Sequence, residues 1–269
     1  MRSVYQKTID SMKAILGLID ILTLGKIRNC ASNHLVFHEI SDNPSQLSQM
    51  NSTTLDLKSR DRILSHFLDR KFISSGYLRN IYFTFDDGFR NTLSTIEALC
   101  ARNIPVIVFL NAATILTGVN RDIERIYSSS KASWNSLSLN LLQGHYFTQE
   151  DIENLSHYKN VKFGDHLYEH VSARNIDEAK FKDYLSLSLQ FFSDLRIEID
   201  SFAWPYGDER VDFIESAKSK GIRKIYKGSL RFPQKFDETR LPRVQVSNRP
   251  LLILHTRGSL LLNRFLTKK

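Results

Sequence analysis

Ile81-Tyr82-Phe83-Thr84-Phe85-Asp86-Asp87-Gly88 is a run of five β-forming residues followed at once by two adjacent carboxylates and a glycine. Short runs of aromatic and β-branched residues predict a strand, here Ile81–Phe85. Gly88 permits a sharp turn at its end. Asp-Gly between two strands is a common hairpin signal. Here, however, the next segment, Asn91 to Arg102, carries Leu93, Ile96 and Leu99 at helical spacing. The turn therefore leads from a strand into a helix. Two neighbouring carboxylates at a strand end repel each other unless positive charge is close. A divalent metal on one and a cationic partner for the other would meet that need.

Outward from this stretch the same alternation repeats. Further strands are predicted at His34–Phe37, Val106–Leu110, Val161–Gly164, Ser201–Pro205, Lys224–Lys227 and Pro242–Val246. Helical patterns lie between most of them: Arg60 to Phe72, Thr148 to Tyr158 behind a Thr148–Asp151 capping box, a helix capped by Asp177 that runs to about Arg196, and Arg210 to Lys220, stopped by Gly221. Strand–helix alternation implies a parallel sheet covered by helices. Seven strands suggest a closed or nearly closed α/β barrel, in which chemistry collects at the C-terminal strand ends. Ala113 to Phe147 is polar and less regular and is read as an insertion over one rim. The organisation expected is an N-terminal amphipathic helix within 1–30, a barrel over 31–248 and a C-terminal helix over 249–269. The first helix would place Met12, Ile15, Leu16, Ile19 and Leu22 on one face.

Two more motifs close strands. Gly164-Asp165-His166-Leu167-Tyr168-Glu169-His170 places two histidines four apart, a spacing that brings both to one side of a helical turn. Two surface histidines are the bland reading of that spacing alone. At a strand end, beside a second strand end bearing carboxylates, two histidines and one Asp make an open zinc site. Phe202-Ala203-Trp204-Pro205-Tyr206-Gly207 closes another strand. Such a turn can aim a backbone N–H at a developing oxyanion, although a Pro-Tyr-Gly turn is more often only a turn. Trp204 is a candidate wall for the acyl pocket, although an aromatic beside a turn is more often simple packing.

Taken together and in this order, Thr-Phe-Asp-Asp-Gly, His-x-x-x-His and Pro-Tyr-Gly resemble the polysaccharide deacetylases of the NodB-homology group, carbohydrate esterase family 4, over roughly His34 to Val246. The resemblance implies a distorted (β/α)7 barrel in a single domain. It implies a divalent metal, zinc above all, on Asp87, His166 and His170, and Asp86 as the base that takes the proton of the attacking water. The backbone N–H of Tyr206 would stabilise the oxyanion, and a histidine would protonate the departing amine. Two positions depart from the common pattern. Where the family often has an arginine that pairs with the base, at the start of the third motif, this chain has Ala203 or its neighbours, and Arg243 in Leu241-Pro242-Arg243-Val244 is the candidate substitute. The acid histidine resembles that of the circularly permuted branch, which includes biofilm poly-N-acetylglucosamine deacetylases. There it sits on a first strand, where Leu35-Val36-Phe37-His38-Glu39 places His38. His255 is the alternative.

Other readings stay open at this point. His166-Leu167-Tyr168-Glu169-His170 also fits the inverted zinc-peptidase motif, with Glu169 as base, provided the segment lies in a long helix. A deformylase acting on a formamido sugar would use the same residues. A non-catalytic glycan binder would keep them without turnover.

Composition narrows the setting. With 269 residues a sizeable core is available. The formal charge of +8 favours acidic partners. The substrate expected is an N-acetylated amino sugar bearing phosphate, as a sugar nucleotide or a lipid-linked sugar. No basic block or motif marks a nucleic-acid binder. Two cysteines without a C-x-x-C pair exclude a disulfide scaffold and a cysteine zinc site. The apolar run Ala14 to Leu24 is too short to span a bilayer and is not followed by a cleavage site, which points to a cytoplasmic protein. Basic residues near both terminal helices, Lys13, Lys26, Arg249, Arg257, Arg264, Lys268 and Lys269, are compatible with peripheral contact at the inner face of a membrane. The competing reading is that both helices cover the ends of the barrel.

Overall fold

The computed structural model of the chain describes residues 10–18, 33–42, 54–68, 81–118, 145–227 and 240–246, together with residues 252, 256, 257 and 259. Seven strands follow the sequence: β1 Asn33–Phe37, β2 Ile81–Phe85, β3 Val106–Leu110, β4 Val161–Asp165, β5 Ser201–Ala203, β6 Lys224–Lys227 and β7 Arg240–Gln245. Their order round a closed barrel is the order of the chain. The pairings of β1 with β7, β2 with β3, β3 with β4, β4 with β5 and β5 with β6 are all parallel. The seven-stranded α/β barrel expected from the alternation is the fold of the protein. The chain divides into two compact units. One comprises Met1–Tyr82, Ser229–Asp237 and Leu241–Lys269; the other comprises Phe83–Gly228 and Glu238–Arg240.

In the larger unit, β3 is Val-Ile-Val-Phe-Leu with every residue buried, the continuous apolar run of a strand covered on both faces. Its neighbour β4 needs a glycine. A Cβ on Gly164 would lie 2.5 Å from the Phe109 ring and 3.0 Å from the Ser201 carbonyl oxygen, so β3 and β5 close in on it from both sides. The helix Glu178–Asp194 is capped by Asp177, whose carboxylate accepts the Lys180 N–H at 2.8 Å. It buries Phe181, Tyr184, Leu185, Ser188, Phe191 and Phe192, the stripe of an amphipathic helix. Phe181 stacks on Trp204 at 5.6 Å and on Phe213 at 4.9 Å and meets Phe202 edge-on. This aromatic cluster fastens the helix to β5.

Several element boundaries move from the sequence expectation. The helix predicted from Arg60 starts at Leu57, because Asp56 caps it through the Ser59 N–H. The segment from Asn91 opens as a 3-10 turn, Arg90–Thr92, before the helix Leu93–Cys100. The helix predicted over Arg210 to Lys220 likewise opens as a 3-10 turn, Val211–Phe213, and continues as Ile214–Ser219. The capping box at Thr148 is present and starts the helix Gln149–Ser156.

The insertion begins with structure rather than irregularity. Ala112–Thr117 is helical and buries Ala112, Ala113, Thr114 and Ile115. Its far end returns onto the turn after β2. Phe89 and Tyr146 form an antiparallel bridge. The Arg90 N–H donates to the His145 carbonyl and the Phe147 N–H to the Gly88 carbonyl. Arg90 also pairs with Asp151 at 3.1 Å. The remainder of the insertion, residues 119–144, lies outside the described residues.

In the smaller unit β1 and β7 pair in register, His34 opposite Arg243 and Val36 opposite Gln245. The helix Leu57–Phe67 buries Ile63 and Phe67. Residues 10–18 are helical, but Met12 and Ile15, expected on the apolar face, are exposed, Ile15 by 61%. Ile19 and Leu22 lie outside the described residues. Arg257 is not among the surface cations of the C-terminal segment. It is fully buried and donates to His66 Nε2 at 2.8 Å. Among the described residues no helix is long and apolar enough to cross a membrane.

Candidate metal centre

Asp86 and Asp87 leave β2 through two successive left-handed residues, Asp87 at φ 70° and Gly88 at φ 69°. Asp tolerates that region better than most side chains, and glycine adopts it freely. A Cβ on Gly88 would approach Leu110 Cδ2 to 2.8 Å, so the turn is packed tightly as well as left-handed. Its effect is to swing the Asp87 carboxylate toward the segment after β4. Asp87 Oδ1 lies 3.2 Å from His170 Nε2 and 3.4 Å from His166 Nε2. One ligand atom from each of Asp87, His166 and His170 falls within 4.8 Å of the others. Asp86 Oδ2 stands 3.8 Å from His166 Nε2, and its side chain is 2% exposed.

The histidines converge by a route the spacing did not suggest. Residues 166–170 form no helical turn. His166 continues from β4, Leu167 is left-handed at φ 66°, and His170 returns three residues later. The segment therefore fails the requirement of the inverted zinc-peptidase reading. Glu169 is also occupied, since its Oε2 accepts the Tyr184 hydroxyl at 2.7 Å.

His166 Nδ1 lies 2.8 Å from the Ala203 carbonyl oxygen. A carbonyl only accepts, so the proton sits on Nδ1 and the Nε2 lone pair faces Asp87 in the neutral ring. A lone pair facing a carboxylate oxygen in a buried site requires positive charge between them. Charge-assisted hydrogen bonds cluster near 2.7–2.9 Å, shorter than the 3.2 and 3.4 Å seen here. Zinc–nitrogen and zinc–oxygen bonds of about 2.0–2.2 Å in tetrahedral array place ligand atoms roughly 3.3 Å apart. The donor set and its spacing thus fit a divalent ion better than a proton.

Tyr206 borders this centre. It is left-handed at φ 58°, followed by Gly207 at φ 67°. Its half-exposed ring meets the His170 ring edge-on at 4.5 Å. Trp204 does not wall a pocket. It is fully buried against Phe181 and Phe202. Asp86, Asp87, His166, His170 and Tyr206 are therefore assembled within one unit. The other two residues named from sequence belong to the smaller unit. His38 is half-buried directly after β1, and Arg243 is buried within β7. His255 lies outside the described residues.

Two groups that sequence reading missed stand at the same strand ends. Asn111 follows β3, fully buried, and its amide donates to the carbonyls of His166 and Leu167. Asp165 ends β4, and burial pushes its carboxyl up to about 7, against the opposing pull of the Ser188 hydroxyl, His166 and the N–H groups of Leu167 and His166. A polar residue directly after an apolar strand was the available signal, the same one that marked Asp86.

A family profile described as polysaccharide deacetylase matches residues 78–225, more than half of the chain. Among solved structures the chain is similar to IcaB from Ammonifex degensii, with 15% identity and a TM-score of 0.57, over 84% of this chain and 96% of that one. It is similar to a de-N-acetylase from Aggregatibacter actinomycetemcomitans, at 14% identity and a TM-score of 0.55 over 80% and 94% of the two chains. A polysaccharide deacetylase from Bacillus cereus gives a TM-score of 0.60 at 12% identity over 85% and 68%. These likenesses establish the barrel. No curated protein sequence matches the chain.

Proposed function

Because this chain belongs to the polysaccharide deacetylase family, we propose that it hydrolyses the N-acetyl group of an amino sugar destined for a cell-surface glycan, in a zinc-dependent reaction. The observation that carries the reading is the convergence of Asp87, His166 and His170, with Asp86 beside them. A zinc ion on these three side chains supplies Lewis acidity toward the amide and the attacking water. The protein's own groups do the rest. Asp86 accepts a proton from the attacking water. The backbone N–H of Tyr206 donates to the oxyanion that develops on the acyl carbon. The family resemblance assigns the proton for the departing amine to His38 and the pairing of the base to Arg243.

The net charge of +8 supports a substrate that carries phosphate, as a nucleotide- or lipid-linked sugar. That substrate would place the enzyme in the cytoplasm, with contact at the inner membrane face.

The test is elemental analysis of the wild type beside a His166→Ala/His170→Ala variant, followed by an acetate-release assay on N-acetylated amino sugars. About one zinc per wild-type chain, lost in the variant, together with acetate release, supports the reading. A folded wild type that takes up no zinc, cobalt or nickel sinks it and leaves a glycan-binding protein.

A further inference from the structure

The segment between the two histidine ligands is held by an unusual set of hydrogen bonds. Three successive carbonyls, those of His166, Leu167 and Tyr168, all accept from residues 111–113. Asn111 Nδ2 donates to the first two, the second at 3.1 Å, and the Ala113 N–H donates to the third at 3.0 Å. The His166 N–H completes the attachment by donating to the Leu110 carbonyl at 2.9 Å. Leu110 and Asp165 are register partners in the β3–β4 pair, so the clamp continues the sheet ladder one step past its end.

The clamp has a purpose that the backbone makes visible. Leu167 sits at φ 66°, where a side chain with a Cβ is strained. No glycine relieves it. The side chain of Leu167 is fully buried in the core beside Phe181, Phe202 and Trp204, so the strained turn is held from its apolar side by packing and from its polar side by Asn111. This left-handed step reverses the chain between His166 and His170 and returns His170 Nε2 to within reach of Asp87.

We infer that Asn111 is a positioning residue for the metal centre, its side-chain amide fixing the left-handed turn that sets both histidine ligands. Asn111 acts on the chain that bears the ligands: its amide nitrogen is engaged with two carbonyls of that segment. The inference rests on the metal reading of Asp87, His166 and His170. Residues that orient metal ligands typically change affinity by about 10–100-fold when removed, and Asn111 is assigned an effect of that size.

The experiment compares wild type with Asn111→Asp, which keeps the shape and loses both N–H donors, and with Asn111→Ser, which keeps one donor on a shorter arm. Zinc affinity is measured by chelator competition and the ligand field by the visible spectrum of the cobalt(II) form. Folding is followed by far-UV circular dichroism of the metal-free proteins. The expected result is a folded variant with zinc affinity lowered about 10–100-fold and an altered cobalt band, Asn111→Asp being the more affected. Folded variants with wild-type affinity and an unchanged cobalt spectrum overturn the inference. So does failure of both variants to fold, which would make Asn111 a residue of the fold rather than of the centre. If wild type itself binds neither zinc nor cobalt, the metal reading falls first, and with it this inference.

Discussion

The carbonyl oxygen of Ala203 lies 2.8 Å from Nδ1 of His166 and decides which face of that imidazole meets Asp87. The contact comes from the last residue of β5 and is made through its backbone. The expected outcome is that His166 in the folded, metal-free protein is protonated on Nδ1 when neutral. Long-range proton–nitrogen correlation spectra report the tautomer directly, and a neutral ring protonated on Nε2 would contradict the geometry.

The adjacent carboxylates should separate by function. Asp87→Asn removes a ligand, so both bound metal and activity fall. Asp86→Asn leaves the three ligands in place, so metal content stays near wild type while turnover drops by about 10²–10⁴-fold, the usual contribution of a positioned base. Parallel elemental analysis and acetate-release assays check the split. Loss of metal in Asp86→Asn would mean that both carboxylates coordinate.

The proton donor is settled by two alanine variants. His38→Ala is expected to lower turnover by about 10²-fold or more, with bound metal unchanged. His255→Ala is expected to leave turnover near wild type. Full activity of the His38 variant with a disabled His255 variant would exchange the assignment.

Two glycines give a contrast in stability. Gly164→Ala forces a Cβ to within 3.0 Å of the Ser201 carbonyl and onto the Phe109 ring, and is expected to cost about 1–3 kcal/mol from overpacking. Gly221 has φ +91° but open space where a Cβ would go, so Gly221→Ala carries backbone strain alone, roughly 1 kcal/mol. Thermal unfolding should show the larger loss for Gly164→Ala; equal losses would place the strain in the backbone at both sites.

Cys100 is 4% exposed. Burial, reinforced by Glu97, pushes its thiol from 9.0 up to about 11. The folded state therefore holds that proton more tightly than the unfolded chain does. The linked stability is fully present below pH 9 and is lost as the pH climbs toward 11. In a Cys30→Ser background the folded protein is expected to resist disulfide-exchange reagents at neutral pH, and Cys100→Ala should flatten the alkaline fall in stability. Rapid labelling of the folded thiol would refute this.

The barrel was legible because its strands are short apolar runs that each end in polar or turn residues. Ile81–Phe85 and Val106–Leu110 were placed to the residue. The grouping of Asp87, His166 and His170 was legible for a related reason: polar residues at strand ends are marked by the strands themselves. What stayed hidden was the path of the chain between ligands. His-x-x-x-His is the same string on a helix or on a left-handed turn, and nothing about Leu167 announces a positive φ. Asn111 was invisible because its partners are carbonyls, which every residue has. Trp204 beside a Pro-Tyr-Gly turn fits a pocket wall as well as a core. Only the arrival of Phe181 from a distant helix makes it core.

The bridge between Phe89 and Tyr146 ties the far end of the 119–144 segment to the turn that carries Asp87, while the near end is fixed by the buried helix Ala112–Thr117. Both anchors are set by backbone bonds and packing among the described residues on either side of that segment. The turn that bears Asp87 and the helix that begins the insertion are thus two fixed posts, joined to the barrel by contacts of their own.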